Sequence, residues 1–299
     1  MATLRHIQLS SLSPLAQASL PRYGFAARLQ GTLQRELLTW KARPSHRRGP
    51  PPPPSLLSFT PAPTYTLGRR QTEPLSDVEL AGLHAPLHHG GSFQPTVVHA
   101  PRGGLATYHG PGQLVLWPVI DLHSPLYPHL SVRNYACLLE KTTIATLARL
   151  WGIAGFTTEN PGVWVRSIDN ATSVTGPAED RERKIAALGV HLRRHVTGLG
   201  VAINYNTPVT GPAETNPWAR IVPCGLGGHG VTSVCAELGH DGISTTLALD
   251  ELSRAWASEF ESRLQIHVDA ATMTQGYDVS NWRNGLASSD DDFVETQAS

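Results

Sequence analysis

The chain has 299 residues, and its 24 Lys and Arg balance 24 Asp and Glu, giving a formal net charge of zero and a pI near 7.3. That balance excludes a general nucleic-acid or anionic-membrane binder, and no apolar run approaches the roughly 20 residues needed to span a bilayer. Three cysteines, Cys137, Cys224 and Cys235, form no C-x-x-C pair, which excludes a disulfide framework and a cysteine zinc site and makes a reducing compartment the default.

No Asp or Glu precedes Glu36, whereas Arg5, Arg22, Arg28 and Arg35 fall in the same stretch among frequent serines. This is the composition of a mitochondrial transit peptide, and equally of an ordinary polar terminus. Phe25, Leu29, Leu33, Leu37 and Trp40 form a helical stripe, which predicts a helix over about 22–42, ending before Pro44. Folded structure is therefore expected to start by Phe25, with residues 1–21 as an N-terminal segment that holds at most a short presequence. The run "RPSHRRGPPPPPS" can neither coil into an α-helix nor pair as a central strand, so 44–55 is read as an inserted surface loop.

"SLLSFTPAPTYTLGRR" predicts two short strands around Pro61 and Pro63, "TVVHAP" another, and "QLVLWPVIDL" a buried strand. Ser131 as N-cap and Gly152 as stop bracket a helix whose buried face is expected at Val132, Tyr135, Leu139, Thr146 and Leu150. Cys137 within it reads as a packing residue. "GVWVRS" is a strand, and 167–183 is a polar, turn-rich loop expected to carry no chemistry. "KIAALGVHLRR" and "VTGLGVAINYN" predict two strands joined tightly near His195, followed by a loop. Leu252, Trp256, Phe260 and Leu264 mark a last helix over about 248–264, and the tail from about 280, with "SSDDD", reads as disordered. The pattern is a mixed α/β (α+β) fold: one mixed sheet with flanking helices, in a single catalytic domain over 22–268 with inserted loops 44–55 and 167–183 and a tail over 269–299.

Two stretches carry chemistry. "APRGGLATYHGPGQLVLWP" places four glycines beside Arg102, Tyr108 and His109, immediately before an apolar strand. A bare turn needs no run of that length. "IVPCGLGGHGVTSV" sets Cys224 between Pro223 and Gly225 with further glycines behind it. Glycines let a substrate approach the main chain and let amides point at an anion, so this context suits a nucleophile better than a packing residue. A free thiol has a pKa of about 8.5 and needs a base or cation nearby. With 14 histidines in the chain, the residues alone leave His109, His229 and Lys184 open as partners.

"RGGLATYHGPGQLVLWPVIDL", "KIAALGVHLRR", "GLGVAINYNTP" and "IVPCGLGGHGVTS", in that order, resemble the motif set of the lipoyl(octanoyl) transferases, and "SFTPAPTYTLGRR" resembles the family's early strand pair. The similarity runs from about residue 25 to 265. It implies the fold of lipoate and biotin protein ligases. It also implies transfer of an octanoyl group from octanoyl-acyl carrier protein to a lysine of lipoyl domains, those of 2-oxoacid dehydrogenase complexes and of the glycine cleavage H protein. The implied location is the mitochondrial matrix, with neither nucleic acid nor membrane span involved.

By the same resemblance Cys224 is the nucleophile and Lys184 its paired lysine. Arg102, Gly103, Gly104, Leu105, Ala106, Thr107, Tyr108 and His109 form one substrate-binding segment. Ala187, Leu188 and Gly189 form the second, and Gly200, Val201 and Ala202 the third. Ala187 stands where some members carry Ser, a change that leaves the neighbouring amides in place. The acyl chain is expected in a narrow tunnel lined by these segments. A thioester donor is already activated, so no cofactor, ATP or metal is implied. The rival readings are an ATP-dependent lipoate–protein ligase on the same fold, against which the P-C-G-x-G-G context and Lys184 argue, and a non-catalytic homologue that binds carrier or lipoyl domains.

Overall fold

The computed structural model describes residues 4–9, 20–88, 91–166, 182–221, 230–239 and 245–265. The 167–181 part of the polar loop, Cys224 and His229 with the rest of their glycine-rich segment, and the tail beyond 265 lie outside the described residues.

The helix predicted at 22–42 is α1, Tyr23–Ala42. Leu29, Leu33 and Leu37 of its stripe are buried, joined by Tyr23, Ala26, Ala27 and Gln30, while Phe25 and Trp40 at the stripe's ends are half-buried. Folded structure begins well before it. Strand β1, Arg5–Leu9, pairs in parallel with β2, Ser55–Phe59, and buries Ile7 and Leu9 against α1. Burial of each such side chain is worth about 1.5–3 kcal/mol. Structure is thus in place by Phe25, as expected, and already at Arg5, ahead of the domain bound set at residue 22: a five-residue strand is too short to show a period beside a Ser-rich stretch. Polar clamps hold β1 as well. Leu4 N–H donates to Glu261 Oε1 at 3.0 Å, Gln8 bonds Asp250, and Arg5 pairs with Glu36 at 2.7 Å.

The proline run is less of an excursion than expected. Residues 45–49 are exposed, but Pro51–Pro53 are half-buried, Pro54 is buried, and Arg5 N–H donates to Pro54 O at 2.9 Å. Ser55, placed in the loop by the sequence reading, is the first residue of β2.

The main sheet has the order β1-β2-β8-β11-β10-β12, where β8 is Gln113–Val119, β10 is Glu182–Arg193, β11 is Val196–Asn204 and β12 is Gly230–Val231. β9, Gly162–Arg166, takes the other edge of β10. One face packs on α3, Val132–Trp151, and α5, Thr245–Arg263; the other packs on α1. Leu114 and Leu116 of β8 face one side while Val115, Trp117 and Val119 face the other, so the strand reads as a continuous apolar run. A three-stranded sheet, β6-β3-β7, is built from β3, Thr64–Leu67, β6, Thr96–His99, and β7, Ala106–His109. Its small core contains Tyr65, Leu67, Val97, Tyr108 and Trp218, with Leu83 of helix α2, Asp77–His84. The two strands of "SLLSFTPAPTYTLGRR" therefore belong to different sheets. A short two-stranded ribbon joins β4, Leu87–His88, to β5, Ser92–Phe93.

Helix α3 has its caps where the sequence puts them: Ser131 Oγ accepts from Asn134 N–H at 3.1 Å, and Gly152 is left-handed at φ 67°. Its buried face is rotated from the expected one, with Tyr135, Leu139, Thr142, Thr143, Thr146 and Leu147 inside and Val132 half exposed. Thr142, Thr143 and Thr146 are tolerated there because each hydroxyl donates to the carbonyl four residues back. Cys137 is exposed, which corrects its reading as a packing residue. Leu252, Trp256, Phe260 and Leu264 are buried as their spacing predicts.

The β10–β11 hairpin turns on Arg194 and His195, both at positive φ (50° and 68°), a two-residue turn made without glycine. Further along β11, Leu199 has φ 60° between Gly198 and Gly200. Extending the β8–β11 register places it opposite Pro118, which has no N–H to offer. The kink throws Leu199 out of alternation and onto the α1 face, where Gln30 Oε1 accepts its N–H at 3.1 Å. A Cβ at Gly200 would lie 2.2 Å from Leu116 O, so only glycine fits beside the kink.

Candidate active site

Lys184 is not the solvated edge charge its position in the sequence allowed. It lies in β10 with Trp164 of β9 paired on one side and Val231 of β12 on the other, and it is 7 % exposed. Its Nζ donates to Pro161 O at 3.1 Å and sits 4.6 Å from the centroid of the Trp164 ring. A cation on an indole face is worth about 0.5–2 kcal/mol. The β9–β10 register shifts between Lys184 and Ala186, a bulge of the kind that re-aims a side chain beside a site.

The slot for Lys184 is shaped by residues the sequence reading missed. Gly162 has φ 130°, and a Cβ there would lie 2.5 Å from Ala186 O and 3.4 Å from Lys184 Cε. Glu140 of α3 accepts the Gly162 N–H at 3.0 Å. Burial raises the Glu140 carboxyl above its ordinary range, against the Gly162 N–H and the Lys184 charge, which lower it. No motif announces Glu140; its only signal is a carboxylate on the inward flank of a helix.

Glu140→Ala is expected to release the 161–162 turn and slow octanoyl transfer about tenfold, in keeping with roughly 1–3 kcal/mol for a buried hydrogen bond left unmade. Glu140→Gln keeps an oxygen for Gly162 and should lose only a few-fold. Single-turnover rates of the two variants check this, and equal losses would refute the positioning role.

The segment that holds Cys224 is bracketed by anchors. Before it, Arg220 donates to Ala213 O, Ala85 O and Pro86 O at 2.6, 2.6 and 2.7 Å, and Trp218 packs edge-on against Tyr108. After it, Gly230 pairs with Arg183, Val231 pairs with Lys184, and Thr232 N–H donates to Lys184 O at 3.0 Å. The chain thus leaves the cysteine segment directly against the lysine. Cys235, a few residues on, is buried at the start of α4, Val234–Leu238.

The three expected substrate segments come together, in different roles. Arg102 is 7 % exposed and clamps its own loop: Nη1 donates to Gly103 O and Leu105 O, Nη2 to Thr66 O and Thr66 Oγ1. Gly103 is exposed; Gly104, Leu105 and Ala106 are half-buried; Thr107 is buried. Tyr108 lies in the small core against Tyr65. Ala187 pairs with Ala202, Leu188 with Val201 and Gly189 with Gly200. Directly opposed residues share a face, so Ala187, Gly189, Gly200 and Ala202 form a floor of small residues on the α1 side, where Ala202 is found. Arg102 lies on that floor: a Cβ at Gly189 would come 2.8 Å from its Cδ. Leu188 and Val201 turn to the opposite core.

His109 is buried, stacked on Tyr23 at 5.5 Å, and its Nδ1–H donates to Gln113 Oε1 at 2.8 Å. Gln113 Nε2 donates to Asn204 Oδ1 at 2.9 Å, and Asn204 Nδ2 to Thr232 O at 3.0 Å. Thr232 bonds Glu237, which pairs with Arg183 at 2.9 Å. This buried chain ties the first substrate segment to the strand of Lys184.

Burial pulls His109 down from 6.5 to about 4, so it is neutral in the folded protein. The unfolded chain then takes up a proton that the folded one refuses. Stability is expected to be full above pH 6.5 and to fall by up to roughly 3 kcal/mol as the pH drops toward 4. His6, also lowered to about 4 by burial, adds to the loss in the same window. Urea midpoints across that range, with a shallower dependence in His109→Gln, check the assignment.

Residues 27–261 match the family model for the lipoyl protein ligase A/B catalytic domain. The chain is 36% identical over 241 residues to the mitochondrial octanoyl-[acyl-carrier-protein]:protein N-octanoyltransferase of Xenopus tropicalis, a match covering 80% of this chain and 82% of that one. The chain belongs to the octanoyltransferase family. The zebrafish (Danio rerio) mitochondrial enzyme of the same description is 35% identical over 71% of this octanoyltransferase-family chain and 80% of its own. An octanoyltransferase of Mycobacterium leprae is also 35% identical, over 71% and 75%. Among solved structures, the bi-partite lipoate protein ligase from Thermoplasma acidophilum, studied with its E2 lipoyl domain, superposes with a TM-score of 0.52 at 14% identity, covering 90% of this chain and 86% of that one. The mixed sheet with flanking helices expected from the sequence is thus the fold of the lipoate ligases. Among the described residues no cluster of His, Cys, Asp and Glu could hold a metal ion, and no helix is long and apolar enough to cross a membrane.

Proposed function

We propose that the protein takes an octanoyl group from octanoyl-acyl carrier protein and places it on the target lysine of a lipoyl domain, through a thioester on Cys224. Family membership supports the overall transfer. The observation that carries the covalent reading is the setting of Lys184: a buried ammonium fixed by Pro161 O and the Trp164 ring, paired with the strand that leaves the Cys224 segment.

The reaction has two balanced halves. The Cys224 thiolate adds to the carbonyl of the donor thioester; the tetrahedral intermediate collapses, the bond to the carrier sulfur breaks, and Lys184 supplies the proton that this leaving thiolate takes. The acceptor amine then adds to the acyl-enzyme thioester, the C–S bond breaks back to Cys224, and Lys184 takes the proton that the new amide sheds. Splitting the transfer lets two protein partners use one site in turn. The small residues Ala187, Gly189, Gly200 and Ala202 let the Arg102–His109 segment lie close on the β10–β11 strands, which brings the acyl-binding segments of this reading together. Kinship with the frog and zebrafish mitochondrial enzymes supports action in mitochondria; the proposal further places it in the matrix, with the lipoyl domains of 2-oxoacid dehydrogenase complexes and the glycine cleavage H protein as acceptors.

Intact-protein mass spectrometry after mixing with octanoyl-acyl carrier protein, without ATP, tests the reading. The expected result is one added octanoyl group, removed by hydroxylamine or by a lipoyl domain. Transfer that requires ATP, or that proceeds without an acyl-enzyme, would overturn it.

A further inference from the structure

A cleft of about 1400 Å³ opens between the N-terminal half of α1, the small sheet and the β10–β11 hairpin. Arg22, Arg28 and Arg35 of the α1 side, Arg69 and His99 of the small-sheet side, and His191 of β10 line it, and no Asp or Glu is among the described residues that do. In a chain whose acidic and basic residues balance, that is a local segregation of charge.

The cleft also holds buried donors that are unmet among the described residues. Gln30 is 5 % exposed, and its Oε1 is taken by Leu199 N–H, which fixes the amide so that Nε2 is the remaining donor. That Nε2 is buried with no acceptor among the described residues, and so is Arg28 Nε. Such unmet donors are costly, and oxygen acceptors brought into the cleft would meet them. The cleft meets the acyl-binding segments at two places. Gly68 packs on Gly104 and Arg102, and Gly198 and Leu199 lead directly into Gly200.

We propose that this cleft docks an acidic face of the protein that delivers the octanoyl group. The inference rests on the transfer reading above and adds where, and by what chemistry, the donor is held. Carboxylates fit four guanidinium groups that planar, bidentate pairing favours. The acceptor's reacting group is a lysine ammonium, which this field repels, whereas the donor's is a neutral thioester. The same charges therefore sort the two partners, chiefly through encounter rate.

The test compares two donors at saturating lipoyl domain: octanoyl-acyl carrier protein and the octanoyl thioester of N-acetylcysteamine, which has no protein. Arg35→Glu on α1 and Arg69→Glu on the opposite wall are exposed and separate, so a fold defect common to both is not expected; circular dichroism melts check each. The double variant should lose about thirtyfold in kcat/KM with the carrier while changing less than about twofold with the small thioester. Salt should weaken carrier use by the unaltered protein and barely affect it in the variant. Undiminished carrier use, an equal loss with both donors, or a loss that appears only in the KM of the lipoyl domain would each overturn the proposal. An unaltered protein that transfers from neither donor would sink the transfer reading itself, and this one with it.

Discussion

Cys224→Ala is expected to abolish both the octanoyl-enzyme and turnover, a loss on the order of 10⁴-fold or more, since removal of a nucleophile leaves only binding and electrostatic terms. The two other cysteines serve as controls of different kinds. Cys137 is exposed on α3 and should be alkylated without effect on transfer. Cys235 is buried in the main core at the start of α4, so Cys235→Ala, which removes a packed side-chain atom, should lower thermal stability while leaving the chemistry intact. Transfer by Cys224→Ala at a rate comparable to the unaltered protein would end the covalent mechanism. Mass spectrometry for the acyl-enzyme and a gel-shift assay of the lipoyl domain give the two readings.

The second largest effect is expected at Lys184. An ammonium near the Cys224 sulfur favours the thiolate, each unit of pKa lowering corresponding to about 1.4 kcal/mol. Lys184→Ala should therefore raise the pH midpoint of Cys224 alkylation and cut single-turnover transfer by roughly 10²–10⁴-fold, the range for a lost proton-transfer group. Lys184→Arg should keep part of the alkylation shift but little transfer, because a guanidinium does not release its proton. Geometry adds to that. Pro161 O, the Trp164 ring and Gly162 shape the slot to a single amine, and a planar fork does not match it. An alkylation profile unchanged in Lys184→Ala would remove the lysine from the pair. Gly162→Ala is a structural counterpart: the left-handed backbone and the 2.5 Å approach to Ala186 O predict a displaced Lys184 with Cys224 untouched.

The fold was legible where periodicity and caps agree. Helix α3 was bounded by Ser131 and Gly152, and the last helix by a four-residue stripe from Leu252 to Leu264. The long hairpin was legible too, although its turn residues, Arg194 and His195, carry none of the usual glycine or asparagine. What escaped depends on partners distant in sequence. The strand Arg5–Leu9 acquires its meaning from Ser55–Phe59 and from Glu261. The rotation of the α3 face, which exposes Val132 and Cys137, follows from three threonines that satisfy their hydroxyls within the helix. At the site, the motifs pointed to Lys184 and the glycine-rich segments, but not to Pro161, Gly162, Trp164 or Glu140, which hold the lysine from another strand and a helix. For Arg102 and Tyr108, read as substrate contacts, the motifs gave no sign of the structural bonds they also make, Arg102 to its own loop and Thr66 and Tyr108 to an aromatic cluster.

The clamp on β1 bears on the order in which the molecule can be assembled. Leu4 meets Glu261 and Gln8 meets Asp250, separations of 257 and 242 residues. This strand, made well ahead of α5, is thus among the last to find all its contacts. Such closures are slow because the loop entropy is lost before the contacts form. Until α5 arrives, residues 5–9 can pair with β2 but lack the clamps from Asp250 and Glu261, and their open edge can meet a stranger's strand.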